Sequence, residues 1–378
     1  MNEPGLEKDD FSQVSDARQK CVQNSDSLLL ESSKRGYDSY MKEKILPIEL
    51  PIVQTFLSHA YSLAILQNTI SYKGWFFTNY MQLYTYYNRK NPLGDYKIDF
   101  FSCKGKYPDV PFFEYYKINK EIFVEMKNDI VEFSIQMLDK EYYIESGIDE
   151  FYWPNKKSYN QKHYHHDNLI FGYNLTNRVF YYLGYDKNMV FGKYSVDFAS
   201  YTDSFIYNKD SNLRMIKSYN RELFDADSRY IYHDNLDFDI RKFAQYLSDY
   251  INSKNSFISH TGSDFSIFGI NVYYDIMEKI ILDRNIGKDM RLYRLLWEHK
   301  VIMLHRLKYL SDVQIISNKD TLCEEFSKLE REFFIVKNMA IKFLVNNNLD
   351  LLQSILKKID TLARADKELC EKLLLSLS

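Results

Sequence analysis

Cysteine, glycine and proline are all scarce in this chain of 378 residues, which contains 4, 12 and 7 of them. The cysteines Cys21, Cys103, Cys323 and Cys370 lie far apart without a CxxC pair, which argues against a disulfide framework and a cysteine-based zinc site. No stretch reaches the roughly 18 consecutive apolar residues of a membrane span. The charged first 30 residues do not look like a signal peptide. We therefore expect a cytoplasmic protein without a membrane partner.

A strong charge of either sign is also missing, since the formal net charge is −3. Binding to phosphate backbones needs a basic surface, so we do not expect nucleic acid as a partner. Hydrophobic residues make up 45% of the chain and charged residues 27%, which is enough apolar material for a proper core. The bulk numbers thus predict an ordered protein of one or two domains.

The pattern along the chain predicts three segments. Residues 1–45 are polar and predict a flexible arm, which ends where Pro47 and Pro51 block helix formation. Residues 46–235 predict an α+β domain, and residues 236–378 predict a helical domain because apolar residues recur there with a period of 3.6. The α+β segment contains two predicted helices at 55–68 and 120–140. Its predicted strands have the sequences YYIES, DEFYW, HDNLIFGYN, RVFYYLGYD and YSVDFASY.

The segment YHHDNLIFGYN, residues 164–174, contains the most informative residue, His166. A histidine at the beginning of a strand and followed six residues later by Gly172 and Tyr173 resembles the surroundings of the general base in papain-like enzymes. The apolar strand behind it would hold the imidazole rigidly near solvent, as a general base requires. Asp186, at the end of the next predicted strand, is our candidate for the side chain that orients this imidazole.

Several longer segments resemble the butirosin-biosynthesis acyltransferase family, whose members are encoded beside nonribosomal peptide synthetases of antibiotic biosynthesis. They are DEFYWP, HHDNLIFGYN, YLSDYINSKNS, FGINVYYDI and LLWEHKVIMLHRLKYL, and they span most of residues 46–315. The resemblance implies a papain-like, cysteine-peptidase-type domain followed by an all-helical domain. It also implies acyl or aminoacyl transfer from a carrier-protein thioester to a small amine. The acyl group would then be carried on the phosphopantetheine arm of the carrier protein, and the chain itself would need no cofactor.

The resemblance places a cysteine nucleophile at the start of the first buried helix, and this chain has none there. Thr55 and Ser58 are the candidates that remain, and Gln54 is the candidate for binding an oxyanion. A threonine hydroxyl needs an adjacent base, because it does not ionise near neutral pH. A threonine at this position is more often the N-cap of the helix than a nucleophile.

Three mechanisms stay open from the sequence. His166 would activate Thr55 or Ser58, or it would deprotonate an amine that attacks the thioester directly, or the site is inactive and the protein is a scaffold that binds the carrier. A peptidase is a weaker fourth reading, because no thiol stands where an amide bond would need one. His163, His165 and His166 do not predict a metal site, since alternation along a strand places His166 on the opposite face from the other two.

Overall fold

The computed structural model describes residues 42–69, 72–87, 96–100, 110–208, 212–218, 237–256, 266–316 and 319–377. The predicted arm at 1–45 lies outside these residues except for 42–45, and so do Cys21 and Cys103. The strands are β1 (Glu43–Ile45), β2 (Leu83–Tyr86), β3 (Lys97–Phe100), β4 (Phe113–Asn119), β5 (Tyr143–Asp149), β6 (His165–Asn174), β7 (Val179–Tyr185), β8 (Phe191–Asp197), β9 (Asn212–Ser218) and β10 (Ile267–Phe268).

The helices alternate with strands in the first half of the chain and dominate the second half. They are α1 (Leu57–Leu66), α2 (Tyr72–Asn79), α3 (Lys120–Glu125), α4 (Ile130–Asp139), α5 (Phe198–Tyr207), α6 (Ile240–Ile251), α7 (Asn271–Leu282), α8 (Met290–Asp312), α9 (Lys319–Asn346) and α10 (Leu349–Ser376). This order confirms the predicted α+β chain with a helical C-terminal region. No helix among the described residues combines the length and the apolar character needed to cross a membrane.

The chain divides into two compact units. The sheet unit consists of the residues up to Pro47 together with Tyr115–Lys217, and the helical unit consists of Ile48–Glu114 together with Ser218–Ser378. This division differs from the predicted boundary at 235/236, because residues 48–114 group with the later helices. The predicted boundary followed the change of hydrophobic period along the chain. The observed division depends instead on which buried apolar side chains share a core. Val53, Leu63 and Leu66 belong to the same core cluster as side chains of α8 to α10.

A seven-stranded sheet forms the centre of the sheet unit, with the order β4-β9-β5-β6-β7-β8 and with β1 also paired to β6. The pairs of β5, β6, β7 and β8 with their neighbours are antiparallel. A hairpin loop follows Asn174 and connects β6 to β7. The predicted strand DEFYW is instead a 3₁₀ turn over Glu150–Tyr152, begun by the Asp149 side chain that accepts the Phe151 N–H at 3.1 Å.

The helix predicted over 120–140 is two helices, α3 and α4. Lys127 lies between them with a φ of 56°, which an α-helix does not tolerate. Asn119 caps α3, and Asp129 caps α4 by accepting the Val131 and Glu132 N–H groups at 2.7 and 2.9 Å. The apolar period continues through the break, which is why the pattern alone did not show it.

Helix α1 is buried on nearly every side, as its sequence predicted, but it begins at Leu57. Phe56 occupies the N-cap position and makes no side-chain cap. The prediction of Thr55 as the N-cap is therefore wrong by one residue. In the helical unit α1 contributes to a core that also contains a second sheet of three strands, ordered β10-β2-β3.

A fully buried ion pair between Lys300 of α8 and Asp366 of α10 lies inside the helical unit. The Asp366 carboxylate also accepts the hydroxyl groups of Tyr250 and Tyr273 at 2.6 and 2.8 Å. One carboxylate thereby ties α6, α7, α8 and α10 together. A buried pair of this kind is costly to break, since the remaining partner keeps its charge away from water.

We expect Asp366→Ala to lower the free energy of unfolding by about 3–5 kcal/mol, because Lys300 is left buried and unpaired. The matched control is Asp360→Ala in the same helix, which removes a surface carboxylate paired with Arg364. That change should cost less than about 1 kcal/mol. Urea unfolding of both variants measures the difference. Equal losses would show that the buried network does not hold the helices together.

Candidate functional site

The antiparallel pairing of β5 with β6 decides which side chains meet at the beginning of β6. In its register Ile148 lies opposite His166 and Asp149 lies opposite His165. The pairing extends one step further, because the Glu150 N–H donates to the Tyr164 carbonyl at 2.9 Å. Side chains alternate between the faces of a sheet, so Glu150 and His166 lie diagonally on the same face.

His166 and Glu150 form a hydrogen-bonded dyad. The His166 Nδ1 atom lies 3.0 Å from Glu150 Oε1. The carboxylate side chain is 8% exposed and the imidazole 34% exposed, so the partner is buried while the ring reaches solvent. An ionised carboxylate only accepts hydrogen bonds, which makes Nδ1 the protonated nitrogen of the neutral ring. Nε2 then carries the lone pair, and the arrangement is that of a general base held in one tautomer.

Three groups around Glu150 favour its ionised form. Burial raises the pKa of this carboxyl, but the hydrogen bond from His166, the charge of Lys156 and a hydrogen bond from Ser158 outweigh burial and lower the pKa overall. Burial also lowers the pKa of Lys156 to about 8, against the opposing charges of Glu150 and Asp186. A carboxylate that stays ionised is the condition for fixing the imidazole tautomer.

A second histidine, His163, binds the carboxylate next in the chain. Its Nδ1 lies 2.6 Å from Asp149 Oδ2, and its ring stacks on Phe151 at 4.6 Å between centroids. Asp149 also accepts the Phe151 and Tyr164 N–H groups, both at 3.1 Å. Asp149 is the last residue of β5 and Glu150 is the first residue of the 3₁₀ turn, so two consecutive carboxylates bind the two histidines. Asp149 holds the turn together through these backbone N–H groups, whereas the His163 side chain is mostly exposed and serves as a natural control for His166.

Asp186 has a different role from the predicted one. Its carboxylate accepts the Asn188 and Val190 N–H groups at 2.9 and 2.8 Å and thereby closes the hairpin between β7 and β8. The side chain that hydrogen-bonds His166 Nδ1 is Glu150. Asp186 contributes to the neighbourhood by its charge, which acts on Lys156.

Thr55, Ser58 and Gln54 all lie in the helical unit, whereas His166 lies in the sheet unit. The Thr55 hydroxyl donates to Glu298 Oε2 at 2.7 Å, and the Gln54 and Thr55 N–H groups donate to the same carboxylate at 3.0 and 3.3 Å. Glu298 of α8 thus accepts the free backbone N–H groups just before α1. The Phe56 side chain at the N-cap position cannot do so, because it has no hydrogen-bond acceptor. The Gln54 side chain donates to the Pro51 carbonyl at 3.0 Å and accepts Arg294 Nη2 at 2.6 Å.

The residues that the sequence reasoning missed are Glu150, Lys156 and Ser158, all in the segment between β5 and β6. Glu150 stands in the motif DEFYWP, inside the segment DEFYW that was predicted as a strand, and two consecutive carboxylates there were the available signal. Lys156 and Ser158 follow in turns closed by the Lys156 N–H to the Trp153 carbonyl and the Gln161 N–H to the Ser158 carbonyl. Their place beside Glu150 depends on those turns and not on any motif.

No group of three or more histidine, cysteine and acidic side chains in the described part of the chain is arranged to hold a metal ion. Comparison of the sequence with protein-family models and with curated proteins gives no match.

We expect Glu150→Gln to lower the free energy of unfolding at neutral pH by about 1–2 kcal/mol, since it removes a charged hydrogen-bond acceptor. The pKa of Glu150 in the folded protein lies below its ordinary value of 4.5. The contribution is therefore fully present above that pH and is lost as the pH falls through the lower, folded value. Urea unfolding of both proteins across this pH range checks the sign. A difference that grows on acidification would contradict the assignment.

Proposed function

We propose that this protein catalyses acyl or aminoacyl transfer from a carrier-protein thioester to a small amine, with His166 as the general base and Glu150 as its orienting carboxylate. The observation that carries the proposal is the dyad itself: Nδ1 is held 3.0 Å from a buried carboxylate while the ring remains one-third exposed. A base in this state contributes about 10²–10⁴-fold to a proton transfer.

The route that the side chains support best has no covalent intermediate. The amine nitrogen attacks the thioester carbonyl, and His166 Nε2 removes a proton from that nitrogen as the C–N bond forms. The C–S bond then breaks, and the imidazolium returns the proton to the departing thiolate. Thioesters are already activated, so a well-placed base is physically adequate. This route needs no nucleophile from the protein.

The substrate class comes from the resemblance to the butirosin-biosynthesis acyltransferase family, which also implies a role in nonribosomal peptide or other specialised-metabolite biosynthesis. The papain-like fold belongs to the same proposal. Two features support it: a buried helix, α1, comes early in the chain, and an antiparallel sheet carries the histidine near the beginning of a strand. The departure is that residues 54–58 contain no cysteine.

We expect His166→Ala to lower the rate of acyl transfer by about 10²–10⁴-fold, because the proposed route transfers the proton of the attacking amine to this imidazole. The matched controls are His163→Ala, which breaks the other histidine–carboxylate pair, and His165→Ala on the opposite face of the same strand. Both should keep the parent rate within a few-fold. The assay incubates an acyl-loaded carrier protein with a panel of amines. A His166→Ala protein as fast as the parent would remove the base from the proposal.

The alternative is a catalytically inactive scaffold that binds the carrier protein, and its main support is that residues 54–58 contain no cysteine. For the proposed route without a covalent intermediate, we expect product to form while intact-mass spectrometry shows no acyl adduct on the protein during incubation with an acyl donor. An adduct that disappears in Thr55→Val would establish the covalent route instead. Carrier binding without product from any amine in the panel would leave the scaffold as the function.

A further inference from the structure

Helix α5 supports the turn that carries Glu150. The Ser204 hydroxyl of this helix donates to the Asp149 carbonyl at 2.8 Å, and both residues are buried. That carbonyl belongs to the peptide bond that joins Asp149 to Glu150. The hydrogen bond therefore acts on the backbone of the residue whose carboxylate orients the imidazole, and the proposed mechanism makes no use of Ser204.

Two aromatic contacts connect the same helix to the same turn. The Tyr207 ring stacks on Tyr152, with 4.7 Å between the centroids and 23° between the planes. The Tyr201 ring meets Trp153 edge to face, with 6.0 Å between the centroids. Tyr201, Ser204 and Tyr207 are spaced three residues apart, which places them as neighbours along the helix surface. The helix therefore contacts the turn both before and after its carboxylate.

The peptide group between Asp149 and Glu150 is held at both its oxygen and its nitrogen. Its carbonyl accepts the Ser204 hydroxyl, and its N–H donates to the Tyr164 carbonyl at 2.9 Å. A peptide bond is planar, so two hydrogen bonds on opposite sides of it fix the orientation of the whole plane. The direction of the Glu150 side chain follows from that plane. An orienting carboxylate needs this support, because a general base works only when its geometry is held closely.

We propose that Ser204 is a positioning residue for the dyad. By holding the peptide between Asp149 and Glu150, it keeps the carboxylate at the place where it accepts His166 Nδ1 at 3.0 Å. If the carboxylate moves away, Nδ1 loses its acceptor and the ring can carry its proton on Nε2 instead. The catalytic meaning of this role rests on the proposed function. The positioning itself does not, since the tautomer of His166 reports it in a protein that transfers nothing.

The experiment compares the two tautomers of His166 by long-range ¹H–¹⁵N NMR correlations of the neutral imidazole in the full chain. Ser204→Ala removes the hydroxyl, and we expect it to lower the ratio of Nδ1–H to Nε2–H rings by about 2–10-fold, the effect of one hydrogen bond of ordinary strength. Ser204→Thr keeps a hydroxyl and should recover most of the parent ratio. Tyr207→Leu removes the stack on Tyr152 from a half-buried position and should lower the ratio as well.

The control is Thr202→Val, which removes another hydroxyl of α5. The Thr202 hydroxyl donates to the Phe198 carbonyl at 2.9 Å, a hydrogen bond within the helix, so its loss should leave the tautomer ratio unchanged. A parent ratio in the folded Ser204→Ala protein overturns the proposal, and so does an equal change in Thr202→Val. If Ser204→Ala does not fold, Tyr207→Leu decides, and a parent ratio in that variant overturns the proposal.

Acyl transfer gives the second readout and separates the two proposals. If the parent transfers acyl groups, Ser204→Ala should lower kcat and leave KM nearly unchanged, because it disturbs the base and not the binding of substrate. A lowered tautomer ratio in a protein without any acyl transfer would confirm the positioning and refute the proposed function. A lowered ratio with the full parent kcat would refute the positioning role in catalysis.

Discussion

The pairing of β5 with β6 is the constraint on which the candidate site depends. Ile148 of β5 lies opposite His166, and the Glu150 N–H continues the pairing just beyond the end of β5, so the Glu150 carboxylate reaches the imidazole diagonally on the same face. A shift of the register by one residue would place Asp149 on that face instead and would turn Glu150 away. The strand pairs on both sides of β5 and β6 hold this register, because both strands are interior to the sheet.

The chemistry of the site follows from unequal burial of its members. The carboxylate of Glu150 is buried, whereas the imidazole of His166 is left partly exposed. Burial disfavours the charged form of Glu150, but the hydrogen bond from His166 and the charge of Lys156 outweigh burial and lower the pKa of this carboxyl. A general base needs this difference in burial, because its orienting partner must be fixed in the protein while the imidazole stays accessible to substrate.

Sequence reasoning found the strand, the histidine at its beginning and the helical C-terminal region, because each is encoded locally by hydrophobic period and turn residues. Sequence reasoning did not find Glu150 as the partner of His166. The pairing of β5 with β6 depends on the turns within residues 150–164, and no local pattern predicts those turns. Positive φ at Asn155 and Asn160 belongs to those turns. Thr55 also shows that local patterns do not reveal contacts between residues far apart in the chain. Its hydroxyl partner, Glu298, is 243 residues away in the chain, and no local pattern connects them.

The tautomer of His166 tests the account most directly, since every role assigned to the dyad assumes that Nδ1 donates to Glu150. Long-range ¹H–¹⁵N NMR correlations of the neutral imidazole, which carries a proton on one nitrogen, show which of the two nitrogens it is. The account predicts a protonated Nδ1 and a bare Nε2 in the parent protein, with the preference lost in Glu150→Ala. A ring protonated on Nε2 would contradict it, because that nitrogen then has no lone pair with which to accept a proton.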